Sequence, residues 1–170
     1  MLLAIGNKVI YPSHGPCIIS SIVNKVVGEQ PMTFYQLLVL NDGRGTLLVP
    51  VDKAKSIGIR PLLNRPQIAK LLDRLKRPST ASTDRKQRVR DNSKLLLSGS
   101  AFDLAEIVES LTELIETKSL SFGERGTLER AKRLLVCEIS EVTGETMQQV
   151  EEQVDRALIA RTGTKPAPHS

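Results

Sequence analysis

The hydrophobic pattern of the chain changes abruptly at Arg60-Pro61, and this change constrains the fold more than any other feature of the sequence. Before that point, short apolar and β-branched runs alternate with turns that contain glycine or proline, a pattern typical of strands. After it, apolar residues recur every three or four positions, a pattern typical of helices. We therefore predict an α+β protein with a small β-domain at residues 1–62, a compact all-α domain at 63–160 and a disordered tail at 161–170.

The β-domain contains four or five candidate strands, which predict a small curved sheet or a partly open barrel. The second run alternates imperfectly between apolar and polar residues. A turn signal, Asp42-Gly43-Arg44-Gly45, precedes the fourth run. The predicted strands are Lys8–Tyr11, Cys17–Val27, Thr33–Leu40, Thr46–Val49 and a short last one around Ile57–Arg60.

The predicted helices begin at recognisable capping residues. A basic helix is expected from about Asp84 to Leu97, stopping at Gly99, after a polar linker at Pro78–Thr83. Four further starts pair a small polar residue with a partner in the first turn: Asn64 with Pro66, Ser100 with Asp103, Ser121 with Glu124, and Thr146 with Gln149.

The chain of 170 residues carries a formal net charge of +5, and its positive charge is concentrated in one short segment. Residues 74–94 hold eight bases against two acids, a net of +6. Residues 103–152 hold twelve acids against five bases, a net of −7. This asymmetry favours a local contact with nucleic acid over a uniformly basic surface.

A helix at Asp84–Leu97 would carry this charge on its first half, while Leu95, Leu96 and Leu97 supply packing on its second. Such a helix, anchored at one end and cationic at the other, suits the phosphate backbone of nucleic acid. Few aromatic or amide side chains accompany the cations, so base-specific readout is expected to be limited. The alternative is a solvated basic face that binds nothing. The cations are Arg85, Lys86, Arg88 and Arg90.

Residues suited to a catalytic or metal site are sparse, which favours a protein without enzymatic activity, cofactor or metal. His14 is the one histidine outside the tail. It lies in a predicted turn, where we expect its side chain to bond to the local backbone. A nucleophile pair of Cys17 with His14 is conceivable, but an apolar strand would raise the pKa of the thiol and make it less reactive. A run of glutamates on one predicted helix could bind a cation, although a solvated face is the simpler interpretation: Glu106, Glu109, Glu113 and Glu116.

The two cysteines, Cys17 and Cys137, lie in unrelated apolar segments and are expected to be buried, reduced thiols, as is typical of cytoplasmic proteins. The N-terminus lacks the pattern of a signal peptide. No apolar run approaches the ~20 residues of a membrane span, so no membrane contact is expected. We therefore expect a cytoplasmic protein. We also expect it to be a monomer.

Together these segments resemble the CarD/CdnL family of bacterial RNA polymerase-binding regulators. Residues Ile5–Gly15 are similar to the family pattern Gly-Asp-x-Val-x-Tyr-Pro-x-His-Gly. The resemblance covers about residues 1–160, and the order and spacing of its parts make it specific. The later matches are Gly28-Glu29, Tyr35-x-Leu37, Val49-Pro50-Val51, Ile57–Arg60, Arg88–Asn92, Leu96–Gly99, Leu104–Val108, Leu111, Leu120–Arg125 and Ala131-x-x-Leu134-Leu135.

The resemblance implies a Tudor-like or SH3-like RNA polymerase-interacting domain followed by a helical DNA-contacting domain. In such proteins the first domain adds a strand to the polymerase β subunit, which would make the protein nucleoid-associated through the polymerase. Lys25 and Leu48 match polymerase-contacting positions, and Thr46 and Leu47 lie in the strand expected to form the paired edge. The Leu48 position is Arg in some members, so its contact here would be apolar.

In the same family the helical domain contacts promoter DNA at the upstream edge of the bubble and stabilises the open complex. Arg90 matches a DNA-contacting position, and Arg88 and Arg125 match neighbouring basic ones; Arg85 and Lys86 complete the expected DNA-binding set. Many members have a Trp wedge at the place of Arg85, whereas this chain has no Trp. Arginine can enter a narrow minor groove through its charge, but it lacks the apolar contact of an indole.

Two other functions are compatible with these residues. The first is a polymerase-bound adaptor that recruits a protein without touching DNA, which the missing Trp favours and the Arg88/Arg90 cluster opposes. The second is a small-barrel RNA-binding protein, which the scarcity of aromatic residues opposes because such folds stack bases on aromatic rings.

Overall fold

A computed structural model of the protein describes residues 3–40, 45–77 and 84–162. The predicted linker Pro78–Thr83, the turn residues Asp42–Arg44 and the predicted disordered tail from residue 163 onwards lie outside these ranges. The chain divides into two units, Met1–Leu62 and Leu63–Ser170.

Residues 3–40 and 45–62 of the first unit form an antiparallel sheet of five strands. They are arranged in the order β4-β3-β2-β1-β5, so that β4 and β5 are the edge strands. One face of the sheet is covered by a core that includes Val9, Ile19, Tyr35, Leu37 and Val49. The strands are β1 Lys8–Tyr11, β2 Gly15–Val27, β3 Gln30–Val39, β4 Thr46–Pro50 and β5 Arg60–Pro61.

The hairpin of β2 and β3 contains a tight turn and a β-bulge. Gly28 and Glu29 form the turn with φ angles of 54° and 69°, as a two-residue hairpin loop requires. Ile19 lies opposite Leu37, but Ser21 lies opposite Gln36, so the bulge falls between these two pairs. A bulge inserts one residue and exchanges the faces of the residues that follow. This explains why the alternation in the sequence of β2 is imperfect.

The segment after β4 differs from the prediction of a strand around Ile57–Arg60. A 3₁₀ turn, Val51–Lys53, leads into a short helix, α1, at Ala54–Ile57. Gly58 ends the helix with φ of 102°, and its N–H bonds to the carbonyls of Ala54 and Lys55. A glycine in this left-handed conformation is a common helix terminator. The strand therefore starts only at Arg60.

In the described part of the second unit there are five helices: α2 Arg65–Arg74, α3 Arg85–Leu97, α4 Ala101–Ile115, α5 Phe122–Thr143 and α6 Met147–Thr162. The predicted caps are present, since Asn64 and Ser121 each form a capping box and Ser100 accepts a hydrogen bond from Asp103 N. Helix α6 extends two residues into the segment predicted to be a disordered tail. None of the helices in the described ranges is both long and apolar enough to cross a bilayer. A sheet followed by a helical unit confirms the predicted α+β class.

The core of the helical unit lies between α2, α4, α5 and α6. It includes Leu71, Ile107, Leu135 and Val154, all of them fully buried. Leu63 enters this core at the start of the unit, and its backbone N–H donates a 2.8 Å hydrogen bond to Oε2 of the buried Glu138. Helices α2, α4, α5 and α6 therefore share one continuous apolar interior.

Candidate functional site

Helix α3 presents three cations to solvent in its first half. Asp84 caps the helix by accepting a 3.1 Å hydrogen bond from Gln87 N. Arg85, Lys86 and Arg90 are exposed, and we call these three residues the basic face. Arg90 Nη2 lies 2.8 Å from Gln87 Oε1 on the helix surface. The position and exposure of the basic face are those expected of a surface for phosphate groups.

Arg88, predicted as a DNA-contacting residue, does not belong to the basic face. Its side chain is only 6% exposed, and its Nε donates a 2.7 Å hydrogen bond to Oε2 of Glu124, which is 4% exposed. A guanidinium engaged in this way is not presented to a phosphate outside the unit. We therefore assign Arg88 the role of holding α3 against α5, and we correct the prediction accordingly.

Glu124 combines two roles at the start of α5. Its Oε1 accepts from the Ser121 N–H at 3.4 Å while Ser121 Oγ accepts from Glu124 N at 3.1 Å, which completes the capping box. The hydrogen bond from Arg88 lowers the pKa of Glu124 below its usual range, with smaller contributions from the Ser121 N–H and the charge of Arg85. Arg85 Nε lies 3.9 Å from Glu124 Oε1 and is itself 62% exposed. The sequence identified Glu124 only as a cap.

The packing of α3 also differs from the expectation. Leu95 and Leu96 pack against the helical core, but Leu97 is largely exposed. The buried side of the first half of α3 is polar, because it consists of Arg88 and Asn92. Helix α3 is thus attached by an ion pair near its start and by two leucines near its end. Arg125, the remaining predicted DNA-contacting residue, is exposed on the first turns of α5.

Among the strands that the structure describes, β4 pairs only with β3, so one of its sides carries no strand of this sheet. Val39 N donates to Gly45 O at 3.1 Å, and Leu37 lies opposite Leu47. Hydrogen-bonded pairs alternate along an antiparallel ladder, so the backbone of Leu47 faces β3 whereas the backbone groups of Thr46 and Leu48 point away from it. Leu47, predicted among the polymerase contacts, also packs its side chain against the core of the sheet.

The side chains of Thr46 and Leu48 lie on the face of the sheet opposite its core. Leu48 is opposite Gln36 and Thr46 is opposite Leu38. Lys25 is opposite Met32, and the β-bulge places Lys25 on this same face. The structure therefore brings Lys25, Thr46 and Leu48 to one face, which we call the outer face, although Lys25 lies near the tip of the β2–β3 hairpin and beyond the end of β4.

The conceivable Cys-His pair does not have the geometry or electrostatics of a nucleophile. Cys17 is buried and its Sγ donates to Gly15 O at 3.5 Å; burial raises the pKa of Cys17 to about 11. His14 Nδ1 lies 3.5 Å from Pro12 O, and its ring packs edge-on against Tyr11. Cys137 is also buried and not in a disulfide.

The predicted solvated glutamate face on α4 is only partly correct. Arg74 Nη2 lies 3.1 Å from Glu106 Oε1 and 3.7 Å from Glu109 Oε1, and Glu109 is buried. These carboxylates attach α2 to α4. Within the described ranges, no group of three or more His, Cys, Asp or Glu side chains is arranged to hold a metal ion.

A sheet unit with an open edge, joined to a helical unit with an exposed basic helix, is the architecture of one class of transcription regulators. The chain belongs to the CarD-like family: residues 3–63 match the CarD-like/TRCF RID domain, and residues 69–155 match the CarD C-terminal domain. This confirms the resemblance seen in the sequence.

Two individual proteins are similar to this chain. YdeB of Bacillus subtilis (strain 168), itself proposed to be a transcription factor, is 26% identical over 153 residues, which cover 88% of this chain and 97% of YdeB. This chain is also similar to the solution NMR structure of the N-terminal domain of Myxococcus xanthus CarD. The match covers 35% of this chain and 77% of that structure's chain, with 39% identity and a TM-score of 0.30.

Proposed function

We propose that this protein is a non-enzymatic, cytoplasmic transcription regulator that acts as a monomer at the nucleoid. It binds the β subunit of RNA polymerase through the open edge of β4 and contacts promoter DNA at the upstream edge of the bubble through the basic face and Arg125. Membership of the CarD-like family supports a role in transcription and an interaction with the polymerase. The DNA contact is supported by the geometry of α3.

The observation that carries the DNA contact is the buried pair of Arg88 and Glu124. This pair fixes the rotation of α3, so Arg85, Lys86 and Arg90 remain directed to solvent together. Because the helix backbone is already ordered, binding of its cations to phosphates costs side-chain entropy but no further backbone entropy. The basic face lacks paired amide side chains suited to base edges, so the contact should tolerate many sequences.

The proposal that this protein binds the polymerase is supported by the outward backbone groups at the β4 edge of the sheet. Thr46 and Leu48 direct backbone donors and acceptors outward, so a strand of a partner can extend the sheet by β-augmentation. The exposed side chain of Leu48 on the outer face would add an apolar contact, and Lys25 would add a charge. Backbone pairing would give affinity, and these side chains would give selectivity.

The DNA contact is tested by a salt series on polymerase–promoter complexes. The double variant Arg85→Ala/Arg90→Ala should lower the slope of log affinity against log salt by about 0.9 for each lost phosphate contact. Lys70→Ala removes an exposed cation from α2 and should leave the slope unchanged. An unchanged slope in the double variant would refute the DNA contact and favour the adaptor function.

The docking edge is tested by two variants at one position. Leu48→Pro removes an outward N–H, whereas Leu48→Ala removes the side chain and keeps the donor. If β4 pairs with the β subunit, Leu48→Pro should abolish binding to core polymerase and Leu48→Ala should only weaken it. Circular dichroism shows whether each variant is folded. Wild-type binding by a folded Leu48→Pro protein would exclude this edge.

A further inference from the structure

Phe122 is unusual among the aromatic residues of this protein. It is the first residue of α5 and its side chain is 93% exposed. Every other aromatic side chain, namely Tyr11, Phe34, Tyr35 and Phe102, is buried or half-buried. An exposed phenylalanine adds nothing to the core and leaves its ring in contact with water. Folding therefore does not account for Phe122.

Two exposed glycines accompany Phe122 on the first turns of α5. A Cβ atom at Gly123 or at Gly126 would meet no other atom within 4 Å, so the fold itself leaves room for a side chain at both positions. Glycine also destabilises a helix relative to alanine. Gly126 is four residues from Phe122 and lies on the same helix face. The bare backbone beside the ring allows a partner to approach closely.

The surroundings of Phe122 are rich in positive charge. Arg125 is three residues away on the same face of α5. Arg125 and Lys118 also line an open cleft of about 420 Å³, together with Ile115, Leu128 and one acid, Glu129. The ring therefore lies on the same face of α5 as the cation Arg125, beside the cleft that Arg125 shares with Lys118.

We infer that Phe122 stacks on, or inserts beside, a distorted base step of promoter DNA while Arg125 and Lys118 contact the adjacent phosphates. This inference rests on the proposed function. A base step offers a flat apolar surface bordered by negative charge, which complements an exposed ring bordered by cations. A pocket on a protein partner would accept the ring but would have no need of the surrounding cations. The bare surface of Gly123 and Gly126 suits the close approach of a sugar-phosphate backbone.

The test is the lifetime of polymerase–promoter open complexes after a competitor challenge, measured over a salt series. Phe122→Ala should shorten the lifetime about fivefold or more, which corresponds to the loss of one stacking contact. The factor should be the same at each salt concentration, because an apolar contact releases no counterions. Phe122→Trp keeps an aromatic ring and should keep the lifetime. Ile159→Ala, which truncates another strongly exposed apolar residue on α6, should behave as wild type.

The outcomes separate this inference from the proposed function. If Phe122→Ala behaves as wild type while Arg85→Ala/Arg90→Ala still lowers the salt slope, Phe122 does not touch DNA and the proposed function stands. If the arginine variant leaves the slope unchanged, the proposed function itself fails. If Phe122→Ala weakens binding to core polymerase without DNA, the ring contacts protein and the inference is overturned. Each variant is checked for an unchanged unfolding transition.

Discussion

Arg88 Nε on α3 donates a 2.7 Å hydrogen bond to Glu124 Oε2 on α5, and both side chains are almost completely buried. A charged pair in this position fixes the orientation of one helix against another more strictly than apolar contacts do, because a small rotation would leave two buried charges unpaired. It thus connects the stability of the helical unit to the direction in which its cations point.

The first prediction concerns the stability of this pair. Arg88→Ala should lower the free energy of unfolding by about 3–5 kcal/mol, since it leaves the Glu124 carboxylate buried without its main partner. Arg85→Ala, at an exposed position of the same helix, should change it by less than about 0.5 kcal/mol. Urea denaturation measures both. Similar values for the two variants would show that the buried pair does not stabilise the unit.

The second prediction concerns acid. Because folding lowers the pKa of Glu124, chiefly through the hydrogen bond from Arg88, the folded state favours the ionised carboxylate. That stabilisation is complete above the pKa that Glu124 has in the unfolded chain, and it is lost as the pH falls through its folded pKa. Glu124→Gln cannot titrate. The difference in unfolding free energy between wild type and Glu124→Gln should therefore shrink on acidification; a difference that is constant with pH contradicts the assignment.

The third prediction concerns the thiols. Cys17 is buried, and its pKa is raised to about 11, so little thiolate is present near neutral pH. Alkylation by iodoacetamide should be slow in the native protein at Cys17 and at Cys137, and fast once the chain is unfolded in guanidinium. Mass spectrometry of the labelled peptides gives both rates. Rapid native labelling of Cys17 would revive the possibility of a reactive cysteine.

The fourth prediction concerns Glu138, which accepts the Leu63 N–H at 2.8 Å inside the helical unit. Glu138→Ala leaves this buried backbone donor unsatisfied and should lower the free energy of unfolding by about 1–3 kcal/mol or more. Glu138→Gln keeps an acceptor oxygen and should cost less. Thermal unfolding of the two variants compares them directly, and an equal loss would mean that the Leu63 hydrogen bond contributes nothing.

The features predictable from the sequence were those encoded by neighbouring residues. The caps at Asn64 and Ser121 depend on partners three residues away, and the α+β class depends on local periodicity. The burial of Arg88 could not be predicted in this way, because its partner lies 36 residues further along the chain. A lone arginine in a basic segment looks the same whether it faces solvent or a distant carboxylate. The exposure of Phe122 also could not be predicted, because local periodicity does not show which side of the first turn of α5 packs against the rest of the unit.

The β-bulge at Ser20 determines on which face of the sheet each later residue of β2 lies. Counted in steps of two from Cys17, Lys25 would fall among the inward residues; the extra residue shifts the count, and Lys25 lies opposite Met32 on the outer face instead. Beyond the bulge, the odd-numbered residues of β2 therefore lie on the outer face, whereas before it they lie on the inner face. Loss of Ser20 would remove the bulge and leave each later pair matched, because the two-residue turn at Gly28-Glu29 fixes the register of the distal half. In this protein, the side chains that the outer face offers to a partner therefore depend on the position of the β-bulge as well as on the sequence of the strand.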